Sequence, residues 1–161
     1  MFKRLSVLLV AIAFAWSPVS LANKAERIGS VDTAFKLFGP NQKIVIEVFD
    51  DPDISGISCY LSRPVTGGVK GALGIAEDRA HASIACKQLG KIHYQKPLEQ
   101  GEKVFSVRTS LVFKHQKVVR FFDKKRHALV YLTYSTKLVD GSYKSALSVV
   151  PIRPWSGDAD E

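Results

Sequence analysis

The sequence is poor in the residues that announce most chemistries: two cysteines, four histidines and one methionine in 161 residues, with 15 acids against 23 bases. Cys59 and Cys86 alone give no Cys-x-x-Cys redox pair and no set of close-spaced ligands for a zinc finger. His81, His93, His115 and His127 are too widely separated for a compact metal motif and read as surface residues. There is no Gly-x-Ser-x-Gly nucleophile elbow, and no pair of acids is placed by spacing to face each other across a cleft, as glycoside hydrolysis requires. No apolar run reaches the roughly 20 residues that a membrane-spanning helix needs. Internal repeats and low-complexity tracts are also missing.

What is present begins with an address. Lys3 and Arg4 precede the apolar run from Leu5 to Trp16, and Ser20-Leu21-Ala22 supplies a small-x-small cleavage site. This is the layout of a secretory signal peptide, residues 1–22, and Asn23 stands where a lipoprotein would carry its acylated cysteine. The expected mature chain, 23–161, has the length of one domain with one core, and residues 156–161, polar and acidic, read as a frayed end. Its basic character is local: Lys103 to Lys144 holds ten Lys or Arg against Asp123 and Asp140.

Export makes a disulfide the economical reading of two cysteines. Ile57, Cys59 and Leu61 share one strand face, as do Ile84 and Cys86, so both sulfurs are expected to point inward. Closing a loop of this size stabilises a fold by roughly 3 to 4 kcal/mol on chain-entropy grounds. A redox-active pair is the alternative. Between the cysteines lies TGGVKGALGIAED, Thr66 to Asp78, with Gly67, Gly68, Gly71 and Gly74. It lacks the Gly-Lys-Ser/Thr ending of a phosphate loop and the strand-to-helix setting of a dinucleotide fingerprint, so it reads as a connection between two strands.

The remaining pattern is strand after strand. Residues 23–39 read as a strand closed by the turn Gly39-Pro40-Asn41, and KIVIEVF, Lys43 to Phe49, follows. VFSVRTSLVF alternates Phe105, Val107, Leu111 and Phe113 against Ser106, Arg108 and Ser110. KVVRFF and HALVYLTY flank Asp123-Lys124-Lys125-Arg126 as a β-hairpin with a four-residue loop. Lys137 to Ser148 offers at most one short helix, with Ser142 as N-cap. The expected fold is mainly β: an antiparallel sandwich or partly closed barrel with one disulfide and at most a short helical addition.

The strings IGSVDTAFKLFGPNQKIVIEVFDDPDISGISCYLSR, TGGVKGALGIAED, SIACKQLG, RTSLVFKHQKVVRFFDKKRHALVYLTYS and VVPIRPW, in that order, resemble the CreA family (catabolite regulation protein A) of Gram-negative bacteria. The resemblance runs from Ile28 to Trp155. It implies a periplasmic location and a cysteine pair at Cys59 and Cys86. It implies no established activity, no cofactor and no catalytic residue, and the family name is not evidence of DNA binding.

Two constellations stand out as candidate sites. Asp51, Asp53 and Ser55 before Gly56 match the first half of a calcium loop, but Ser62 takes the position that wants Glu, and turn residues explain the same string. Lys114, Lys117, Arg120, Lys124, Lys125 and Arg126 gather around the hairpin among Phe113, Phe121, Phe122 and Tyr131. In an exported protein such a surface faces anionic lipid, lipopolysaccharide or an acidic protein, not nucleic acid. The expected function is non-enzymatic binding of such a partner; the alternative is a hydrolase or other enzyme whose site is assembled from distant residues.

Overall fold

A computed structural model describes residues 25–34, 42–66, 81–109, 115–139 and 142–156. The segment 1–22 expected to be a signal peptide, the glycine span 67–80, Leu111, Phe113 and Lys114, and the chain end from 157 lie outside the described residues.

The described chain is all strand. β1 (Glu26–Ala34), β2 (Gln42–Asp50), β3 (Ile54–Thr66) and β4 (Ser83–Tyr94) form one antiparallel sheet in chain order. β5 (Glu102–Arg108), β6 (His115–Asp123), β7 (Ala128–Val139) and β8 (Ser142–Pro151) form a second, also in chain order. The two sheets are not closed into a barrel. The expected strand within 23–39 is β1; over Lys137 to Ser148, where the sequence allows at most one short helix, the described residues are strand, the end of β7 and then β8 from Ser142.

Period-two burial makes the core. Val45 and Phe49 of β2, Ile57, Cys59 and Leu61 of β3, and Ile84 and Cys86 of β4 are buried on one side. Val104, Phe105, Val118, Leu129, Tyr131 and Val150 are buried on the other. Phe49 and Phe105 stack across the gap with ring centroids 4.2 Å apart. Fully burying a side chain of this size contributes roughly 1.5 to 3 kcal/mol, so these two faces supply the main driving force.

Cys59 and Cys86 are direct partners in the β3–β4 ladder, and their sulfurs are bonded. The disulfide thus staples a strand pair that the inward alternation had already placed on the core side. Two further devices shape the chain beside it. Gly56 sits at φ +85° where the β3–β4 register shifts, and a Cβ there would meet the Lys91 carbonyl oxygen at 2.5 Å. Only glycine fits this bulge. At the far edge, β4 touches β8: the Cys86 amide donates to Ser148 Oγ at 2.8 Å, and Gln88 exchanges two hydrogen bonds with the Arg153 backbone.

Candidate functional site

The basic hairpin exists as β6 and β7, but its loop is 124–127, one residue later than the spacing predicts. Asp123 ends β6, and its Oδ1 accepts hydrogen bonds from the Lys125 and Arg126 amides at 3.1 Å each. Its Oδ2 pairs with the Arg126 guanidinium at 2.8 Å. That hydrogen bond from Arg126 holds the Asp123 carboxyl below its ordinary range, against the opposing effect of desolvation. The turn closes at His127, which takes φ 48° in the left-handed region. Lys124 and Lys125 project from this braced tip and are exposed, and neither has an ion pair among the described residues. Lys117 is half-buried on the outward side of β6, opposite Tyr134.

Arg120 does not belong to this surface. Alternation along β6 turns Gln116, Val118 and Arg120 inward, and Arg120 is 0% exposed. An unpaired guanidinium there would be prohibitively costly, so the chain surrounds it with acids. Its Nη1 donates to Asp51 Oδ1, and its Nη2 donates to Asp53 Oδ2 at 3.1 Å and Glu102 Oε2 at 2.6 Å. Tyr131, its partner across the β6–β7 ladder, donates its hydroxyl to Asp51 Oδ2 at 2.7 Å. Lys96 closes the cluster from outside, 3.1 Å from Asp53 Oδ1 and bonded to Glu102.

The electrostatics follow from this packing. Desolvation pulls the Arg120 pKa down, but the hydrogen bond and charge of Asp51, with Asp53, outweigh it and hold it above the ordinary value. Burial, then the charge of Asp51, pushes the Tyr131 phenol far above its usual range. The hydrogen bonds that the Lys96 ammonium donates to Glu102 and then to Asp53 raise its pKa above the ordinary value. Because Asp51 and Asp53 come from the β2–β3 turn and Arg120, Tyr131 and Glu102 from the other sheet, the cluster is a clasp between sheets.

Asp51, Asp53 and Ser55, the residues of the calcium alternative, have other partners in the structure. The oxygens of Asp51 and Asp53 are taken by Arg120, Tyr131, Lys96 and the Asp53 amide, and Ser55 Oγ donates to the His93 carbonyl oxygen instead. These acids are paired with a guanidinium and an ammonium. A second, partly buried pair, Glu47 with Arg63 in bidentate geometry at 2.8 and 2.9 Å, lies within the first sheet.

The clasp was partly readable in sequence. Lys117 and Arg120 are an odd number of residues apart, so a strand must send them to opposite faces. What no local pattern shows is that the Asp51 turn reaches residue 120.

The comparisons agree with this chain's own strings. The family described as CreA protein matches residues 28–155. Protein CreA of Escherichia coli K12 is 57% identical over 135 residues, covering 81% of this chain and 86% of that protein. Protein CreA of Escherichia coli O157:H7 matches with the same identity and coverage. No solved structure matches the chain significantly. With a family match over most of its length and relatives of this identity, the chain belongs to the CreA family.

Proposed function

We propose that this chain is an exported periplasmic binding protein that meets an anionic partner of the cell envelope through the tip of its β6–β7 hairpin. The observation that carries the reading is the braced tip itself, with Lys124 and Lys125 exposed and Asp123 committed to Arg126 and the turn. The clasp adds to it. Asp51, Asp53 and Glu102 are set against Arg120 and Lys96, so the cluster holds more acid than base and leaves the rest of the molecule more basic than its composition implies. The signal peptide at 1–22 supports the location.

An enzyme assembled from distant residues would need shifted titratable groups lining a cleft. Among the described residues, Arg120 and Tyr131 carry such shifts inside the core, Lys96 owes its shift to Glu102 and Asp53 at the outer side of the clasp, and Asp123 owes its own to Arg126 in the turn. No observation favours that alternative. The test is capture from envelope fractions by immobilised mature protein beside the Lys124→Glu/Lys125→Glu variant. The reading expects a component retained at low salt, released as salt screens the contact, and lost in the variant. Equal retention by both proteins at all salt concentrations would refute it.

A further inference from the structure

The outer face of the second sheet is built against the usual pattern. In an antiparallel sandwich the solvent side of each strand is ordinarily polar. Here Phe121, Val130 and Val149 form one row across β6, β7 and β8, and Val119, Leu132 and Leu147 form the next. Val119, Val130 and Leu132 are half-buried, while Phe121, Val149 and Leu147 are 38%, 52% and 57% exposed. A contiguous exposed apolar patch of this kind marks an interaction surface.

The patch has a basic end and an aromatic border. Ala128 pairs with Pro151 and the Ile152 amide donates to the His127 carbonyl oxygen at 2.9 Å, which brings the C-terminal segment to the hairpin end. Trp155, 40% exposed, then lines an open groove with Val149, Arg153 and Lys87. Lys124 and Lys125 stand at the same end, and exposed Lys103 pairs with Val119 at the opposite edge. The four strands carry two acids, Glu102 and Asp123, and both are engaged by bases.

We propose that this face, apolar at its centre with lysines at its end and Trp155 at its border, docks on a bilayer surface rich in anionic phospholipid. The proposal rests on the anionic-partner reading and names the partner's class. Tryptophan at the rim and lysine beside an apolar patch are what a headgroup boundary accommodates, the ring at the interface and the ammonium groups on the phosphates.

Trp155 is the one tryptophan of residues 23–161, so it reports directly. The experiment titrates the mature protein with vesicles of phosphatidylcholine and phosphatidylglycerol, and with phosphatidylcholine alone, reading Trp155 emission and cosedimentation. Expected are a blue shift and binding with the anionic vesicles only. Lys124→Glu/Lys125→Glu should weaken binding by at least about tenfold, since each basic residue near an anionic surface contributes roughly fivefold. Leu147→Ser/Val149→Ser should weaken it by at least about fivefold, and Ile44→Ser/Ile46→Ser on the first sheet should leave it unchanged. All six substitutions are at exposed positions, and circular dichroism confirms that each variant folds.

Absence of binding to anionic vesicles overturns the proposal. So does wild-type binding by Leu147→Ser/Val149→Ser; if charge reversal still abolishes binding, the anionic-partner reading survives while the apolar docking face does not. A dimer by sedimentation that Leu147→Ser/Val149→Ser dissociates, with no vesicle binding, overturns it in favour of a second copy of the chain.

Discussion

Replacing Arg120 with methionine keeps much of the side-chain volume and removes the charge on which the inter-sheet clasp is centred. Three carboxylates then face one another with only Lys96 to balance them. The Asp51 side chain is 0% exposed, and those of Asp53 and Glu102 are 15% and 17% exposed, so water relieves little of the repulsion. Breaking a buried pair by removing one partner costs about 3 to 5 kcal/mol. Against a typical domain stability of about 5 to 15 kcal/mol, that is a large fraction. For a domain of this size it corresponds to a fall in Tm of roughly 10 to 15 °C. Urea unfolding at neutral pH, followed by circular dichroism, measures it through the midpoint at constant slope. Asp51→Asn in the same background should recover part of the loss, because it removes one of the stranded charges. Lys124→Met, on the exposed tip, should change stability by less than about 0.5 kcal/mol. A cost for Arg120→Met below about 1 kcal/mol would refute the reasoning. It would mean that desolvation of the guanidinium cancels its ion pairs.

The Tyr131 phenol has a folded-state pKa raised above its unfolded value near 10, so the stability it contributes is complete below about pH 10 and is lost as pH rises beyond it. Wild type should therefore weaken more steeply than Tyr131→Phe in urea titrations above pH 10, and parallel curves would contradict this. Cys59 and Cys86 are 0% and 6% exposed, so mild reductant should leave the bond intact until the protein is denatured, which free-thiol labelling follows; ready reduction in the folded state would instead favour redox sensing. Once reduced, the protein should be less stable by roughly 3 to 4 kcal/mol. Gly56→Ala should cost about 2 kcal/mol or more in urea unfolding, because its Cβ would overlap the Lys91 carbonyl oxygen at a left-handed φ.

Most strands were legible because they bury one face and alternate accordingly. The β2, β3 and β4 positions, both cysteines among them, follow directly from parity. β8 was not legible for a physical reason. Of its inward positions only Val150 is a buried apolar residue, Ala146 and Ser148 being small or polar with Ser148 needed by the Cys86 amide, while Leu147 and Val149 are exposed. An inverted strand of this kind scores as neither helix nor half-buried strand, and the inversion is itself what creates the exposed apolar face. The hairpin tip was legible from its turn and its charges. The burial of Arg120 depends on Asp51, 69 residues away in sequence, and only the packing of two sheets brings them together.

The central claim is that one patch, the hairpin tip with the outer face of β6 to β8, makes the contact. Amide chemical-shift mapping of the mature protein, titrated with bicelles containing phosphatidylglycerol, tests it residue by residue. The largest changes are expected at Phe121, Lys124, Lys125, Leu147, Val149 and Trp155, with high salt reversing them. Changes centred on Ile44 and Ile46 of the opposite sheet, or none at all, would contradict it.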